Sequence, residues 1–194
     1  MLVIKSISYS NTEILNSINK LYLNNKGFDL DPTYSKGNFY KDFPEPKYIS
    51  DLQPLNKKVK KADCTNLGFG NNELNSICFD PPFLHGTAGR RKNNHCSQRF
   101  TFVDTHSKLM DLYNKALKEF YRILKPKGIL AYKCQDYTDT KTYFNHNHVY
   151  NFAIETGFKG LDLFILLAKS RIFNPNLTQR HSRKFHSYWY VFKK

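Results

Sequence analysis

A chain of 194 residues has room for one domain, or for one domain with a small appendage. Hydrophobic residues make up 40% of it and aromatics 15%, enough apolar mass for a core, so a wholly disordered chain is excluded. Lys and Arg total 30 against 16 Asp and Glu, and the net charge of +14 favours polyanions: nucleic acid first, an anionic membrane surface second.

No apolar run approaches the roughly 20 residues of a membrane span. The first residues, MLVIKSISYSNTE, carry no basic segment ahead of their apolar patch and no small-residue cleavage site. Cys64, Cys78, Cys96 and Cys134 are scattered, without a CxxC pair. That pattern argues against a zinc site and against a disulfide framework, and points to a reducing cytoplasm. The expectation is one domain over 1–194, a monomer or weak dimer, with no metal and no membrane partner.

Along the chain, Ser10 and Glu13 stand in capping-box spacing, followed by Ile14, Leu15, Ile18, Leu21 and Tyr22. This predicts a helix of about three turns that stops before Gly27. Short strands are predicted over 28–30, 47–50, 59–62 and 74–79. The last is ended by Pro81-Pro82, because proline cannot donate to a sheet ladder. From 84 to 102 periodicity is lost, and Arg90, Arg91, Lys92 and Arg99 accumulate in a long connection of the kind that carries function.

Leu109, Tyr113, Ala116, Leu117, Phe120 and Leu124 then fall at helical spacing until Pro126 and Gly128. A strand follows over 128–132. Phe144, Val149, Phe152 and Ala153 predict another helix, closed by Gly157. Two strands finish the chain, over 161–168 and 187–192, with a basic connection over 171–186. Strands alternating with helices argue an α/β fold around a parallel sheet, with the last two strands as an antiparallel pair.

Four strands are each followed by an acidic residue: Asp31, Asp51, Asp63 and Asp80. In an open α/β sheet the carboxyl ends form the ligand crevice. Carboxylates there accept hydrogen bonds from a donor-rich ligand, although Asp also simply opens turns. Roughly seven residues separate Asp51 from Val59, fewer than the dozen or so of an ordinary parallel crossover, a spacing that argues for a displaced or missing third strand. His85, His95, His106, His146 and His148 show no triad partner and read as surface or core polar residues.

Phe79-Asp80-Pro81-Pro82-Phe83 resembles the signature of the amino-methyltransferases, which methylate exocyclic amines of nucleic-acid bases using S-adenosylmethionine. The flanks are similar as well: Asp63-Cys64-Thr65-Asn66-Leu67-Gly68-Phe69 before the motif and the stretch over 119–130 after it. The tail over 186–194 looks like the end of small phage-type DNA methyltransferases. The resemblance implies a class I Rossmann-like fold, a mostly parallel seven-stranded sheet with a C-terminal antiparallel pair. It implies Asp80, Pro81, Pro82 and Phe83 as catalytic residues. It implies Asp31, Pro32, Thr33, Gly37, Asp51 and Asp63 as the S-adenosylmethionine site.

The implied substrate is adenine N6 in DNA. RNA, cytosine N4, or an inactive nucleic-acid-binding protein on the same scaffold are the alternatives. Arg90, Arg91, Lys92 and Arg99 would then reach phosphates, with the basic segment over 180–184 as a second backbone contact.

The chemistry stands without the name. An exocyclic amine is a poor nucleophile because its lone pair is spread into the ring. Two fixed acceptors, a carboxylate and a carbonyl on a rigid double-proline corner, pull that pair back onto nitrogen.

Overall fold

The computed structural model describes residues 3–85, 103–139, 141–170 and 178–194. Arg90, Arg91, Lys92 and Arg99, and most of the connection over 84–102, lie outside the described residues.

The elements run β1 (Ile7–Ser8), α1 (Asn11–Tyr22), β2 (Leu30–Asp31), a 3-10 turn (Asn38–Tyr40), β3 (Tyr48–Asp51), β4 (Lys60–Lys61) and β5 (Leu74–Phe79). They continue α2 (His106–Ile123), β6 (Leu124–Cys134), β7 (Tyr137–Thr138), β8 (Thr142–Tyr143), α3 (Asn145–Thr156), β9 (Lys159–Leu167) and β10 (His186–Lys193). Eight strands form one sheet in the order β1-β9-β10-β6-β5-β2-β3-β4, and β7 and β8 form a separate antiparallel hairpin. Among the described strands of the eight-stranded sheet, β10 alone runs antiparallel to its neighbours, between β6 and β9. The seven expected strands are all present. The eighth, β1, adds a short parallel edge beyond β9.

The helices start and stop where side chains supply the missing partners. Ser10 caps α1 by accepting from Glu13 N, and Thr105 caps α2 by accepting from Lys108 N. The apolar stripe of α2 buries Leu109, Tyr113, Ala116, Leu117 and Phe120 against one face of the sheet. Ile14, Leu15 and Ile18 of α1 bury against the other, with Ile129, Ala131, Trp189 and Val191. Alternation along β5 and β6 divides the core: Ile77, Phe79, Leu130 and Tyr132 face α2, while Cys78, Ile129 and Ala131 face α1.

β4 corrects the expectation of a displaced or missing third strand. It pairs in parallel with β3, Ser50 opposite Lys60 and Asp51 opposite Lys61, across a link with no helix. The link into β5 is anchored from α2 instead. Glu119 accepts from Leu67 N at 2.7 Å, and the Arg122 guanidinium donates to the Phe69 and Leu67 carbonyls. β6 also starts earlier than expected and runs through Pro126 and Gly128. Among the described residues, no helix is long and apolar enough to cross a membrane.

The order matters for the site. From β2 the chain moves outward through β3 and β4, then returns to place β5 on the other side of β2. β2 and β5 therefore flank the point where the strand order reverses, the usual ligand crevice of such sheets.

Candidate active site at the carboxyl edge of the sheet

β2 through β6 run parallel, so their carboxyl ends share one edge. A cleft of about 200 Å³ opens there, lined among others by Pro32, Thr33, Asp51, Asp63, Asp80 and Pro82. Ser35, Leu52, Cys64, Val103 and Leu112 complete the wall. Six of the expected site residues thus meet in one cavity. Among the described residues, no group of three or more His, Cys, Asp or Glu is arranged to hold a metal ion.

Asp31 closes the floor behind this cleft and does not line it. It is 2% exposed. One carboxylate oxygen accepts from Thr33 N at 2.7 Å and Thr33 Oγ1 at 3.1 Å; the other accepts from Tyr40 Oη at 2.6 Å. Burial pushes its pKa up to about 7, against the pull of those hydrogen bonds. Gly37 is also away from the lining. It holds a left-handed φ of 67°, where an added Cβ would collide with the Tyr34 ring, so it shapes the turn that delivers Phe39 and Tyr40.

Asp51 ties the loop after β2 to the end of β3. Its carboxylate accepts from Ser35 N at 2.9 Å and Gln53 N at 2.8 Å. Asp63 accepts from both the amide and the hydroxyl of Thr65 at 2.8 Å. Each is an Asx turn by local geometry. Both residues also line the cleft.

Asp80 sits at the centre. Its backbone N–H donates to Thr33 Oγ1 at 2.9 Å. Its Oδ2 lies 3.3 Å from Lys133 Nζ, while its Oδ1 is buried with no hydrogen-bond partner. Burial raises its pKa, and the lysine beside it pulls the other way. Tyr113 Oη donates to the Pro82 carbonyl at 2.6 Å and pins the double-proline corner to α2.

Three contributors escaped sequence reasoning. Lys133 is 7% exposed and sits in an otherwise apolar strand segment. A charge inside such a run is the signal that would have found it. Tyr113 reads as one more core position on α2, and its hydroxyl gives no periodic signal. Tyr40 is reached only through the 3-10 turn.

The histidines are not isolated either. His146 Nδ1 meets the Asp136 carboxylate at 2.7 Å, His106 Nε2 meets Asn145 Oδ1 at 3.1 Å, and His85 Nδ1 pairs with Tyr137 Oη. His95 lies outside the described residues.

No family model matches the chain, and no curated protein matches its sequence. Solved structures do. The 1,6-didemethyltoxoflavin-N1-methyltransferase of Burkholderia thailandensis, bound to 1,6-didemethyltoxoflavin and S-adenosylhomocysteine, superposes with a TM-score of 0.54 at 12% identity. It covers 95% of this chain and 79% of that one. A SAM-dependent methyltransferase of Archaeoglobus fulgidus gives 0.50 at 13% identity and covers 95% of each chain. The candidate DNA modification methylase TTHA0409 of Thermus thermophilus, complexed with S-adenosyl-L-methionine, gives 0.49 at 16% identity over 69% of this chain. The chain spans about half the length of that methylase, 53%. At these identities the likeness is one of fold. The chain has the Rossmann-like fold of S-adenosylmethionine-dependent methyltransferases.

Proposed function

We propose that this protein transfers a methyl group from S-adenosylmethionine to an exocyclic amine of a nucleic-acid base, adenine N6 in DNA ahead of RNA or cytosine N4. The observation that carries this reading is Asp80 Oδ1, a buried acceptor without a partner at the wall of a cleft. A buried polar atom left unpaired costs about 1–3 kcal/mol, which a donor on a ligand recovers.

The chemistry of the cleft wall suits the methyl donor. S-adenosylmethionine offers ribose hydroxyls, an adenine amine and a sulfonium cation. The wall offers the carboxylates of Asp51, Asp63 and Asp80. In this reading Asp51 accepts from the ribose, Asp63 accepts from the adenine amine, and the backbone over 32–37 wraps the methionine end. When bound, the cofactor supplies an electrophilic methyl group, whose transfer forms the N–C bond, breaks the S–C bond to leave S-adenosylhomocysteine, and releases the surplus amine proton to solvent.

The protein's part is to prepare the amine. Asp80 Oδ1 accepts one amine hydrogen. The second acceptor in this reading is a backbone carbonyl of the Pro81-Pro82 corner, which Tyr113 holds in place through the Pro82 carbonyl. With both hydrogens held, the lone pair turns out of conjugation toward the methyl group. Phe83 offers a face for the base, and stacking of this kind contributes about 1–3 kcal/mol. The net charge of +14 supports a polyanionic substrate, and Arg90, Arg91, Lys92 and Arg99 are proposed to meet its phosphates.

The test is incubation with labelled S-adenosylmethionine and unmethylated DNA or RNA, followed by nucleoside mass spectrometry. Label on N6-methyladenine in DNA is the expected result. Asp80→Ala should abolish it while S-adenosylhomocysteine still binds by calorimetry. Near wild-type activity in that variant would remove Asp80 from the chemistry.

A further inference from the structure

Among the described residues, Lys133 is the only buried lysine or arginine. Lysine at such a position normally extends its stem and puts the ammonium in water. Here the ammonium is held inside. It lies 4.9 Å from the Phe39 ring centre, 5.5 Å from Trp189 and 5.6 Å from Phe83. Those rings come from the 3-10 turn, from β10 and from the corner after β5. Three aromatic faces around a cation compensate part of its lost hydration. What the cage aims the charge at is Asp80 Oδ2, 3.3 Å away.

We propose that Lys133 is a positioning residue for Asp80: it holds that side chain as a carboxylate and engages Oδ2, so that Oδ1 alone is presented to the amine. The inference rests on the reading that Asp80 accepts an amine hydrogen. Its core, the coupling of Lys133 to Asp80, is measurable without any substrate.

The surroundings show why a lysine is needed. Around Asp80 lie Asp31 from β2, Cys78 from β5 and Tyr113 from α2, with Tyr40 of the 3-10 turn bonded to Asp31, and Asp51 and Asp63 in the same cleft wall. Burial lifts Tyr40, Cys78 and Tyr113 well above their usual ranges, so they stay neutral. The other ionisable acids near Asp80 are carboxyls, and charge on Asp80 opposes the ionisation of Asp31. Lys133 is the one basic group in this set. Without it, burial is left unopposed in favouring the protonated form of Asp80. A protonated carboxyl spends one oxygen as a donor and draws weakly on the amine lone pair.

The experiment is a carbon-detected titration of Asp carboxyls in the cofactor-free protein, the Asp80 signal assigned by its loss in Asp80→Asn. In Lys133→Met the Asp80 midpoint should rise by at least about one pH unit, and in Lys133→Arg it should stay near wild type. An unchanged midpoint in folded Lys133→Met overturns the proposal. Should that variant not fold, Lys133→Gln gives the same reading.

The methylation profile supplies the second readout. Its acidic limb should move up in Lys133→Met, costing about tenfold in rate below the limb for each pH unit moved, and the rates should converge at high pH. Equal loss at every pH overturns the proposal. An active Asp80→Ala alongside a shifted Asp80 midpoint removes the catalytic reading and keeps the coupling.

Discussion

Asp31 should make the protein lose stability as pH rises from about 4 to 7. Its carboxyl titrates near 3.8 when exposed and is raised to about 7 by burial in the fold. Between those values the folded state binds more protons than the unfolded state. The contribution is fully present below the unfolded pKa and is lost as pH climbs through the folded one. Three pH units correspond to about 4 kcal/mol. The net charge of +14 favours the ionised form, so that figure is a ceiling.

Asp31→Asn removes the titration and keeps the shape. The amide oxygen can still accept from Thr33, and the amide nitrogen can donate to Tyr40 Oη once that hydroxyl rotates. Urea unfolding of the cofactor-free protein at intervals from pH 4 to 8 measures the difference between wild type and variant. Other acidic groups titrate in both proteins and largely cancel. The variant should be near neutral or slightly destabilised at pH 4. It should gain steadily on wild type above that, by up to about 4 kcal/mol at pH 8. A difference that stays flat across the range would refute the reasoning, since Asp31 would then be ionised at no cost.

Other outcomes follow from single contacts. Tyr113→Phe should cost about 1 kcal/mol in unfolding experiments and lower turnover with S-adenosylhomocysteine affinity unchanged, because only the pin on the Pro82 carbonyl is lost. Unchanged turnover would mean that the prolines hold the corner alone. Asp51→Ala should weaken S-adenosylhomocysteine binding by about tenfold or more in calorimetry, through the lost acceptor and the freed Ser35 amide. DNA binding should be unaffected, and its loss with intact cofactor affinity would contradict the placement. Neutralising Arg90 and Arg91 should weaken DNA binding and flatten its salt dependence by about 0.9 in log-log slope per phosphate contact removed.

The sheet was legible because its signals are local and redundant. An apolar run over 74–79 ending in Asp-Pro-Pro has one reading, and the stripe from Leu109 to Leu124 has another. What escaped is what depends on distant partners. β1 is two residues paired to β9, and its own side chains are largely exposed, so no pattern marks it. The β7-β8 hairpin is set by stacked rings, Tyr137 on Tyr143 and Tyr143 on His106. β4 is only two residues paired to the end of β3, too short for a pattern of its own to outweigh the short spacing from Asp51. In the site, acidic strand ends were readable one by one. Their division was not: Asp51, Asp63 and Asp80 line the cleft, whereas Asp31 supports it from behind.

That division has a physical logic. A continuous chain of hydrogen bonds runs from Tyr40 through Asp31, Thr33 and Asp80 to Lys133. It places two carboxyl groups at the point where the strand order reverses, with a single lysine against one of them, Asp80. Replacing such buried charges by apolar residues often stabilises a protein, so the arrangement is poorly explained as a stability device. It is well explained as a way of fixing one oxygen. Thr33 takes the Asp80 amide, Lys133 takes Oδ2, and the corner carrying Asp80 is pinned through the Pro82 carbonyl by Tyr113. Each bond removes a freedom that Asp80 would otherwise use to satisfy itself, and Oδ1 is left as the acceptor with no internal partner. In the proposed reaction, that unpaired oxygen is the acceptor the incoming amine meets.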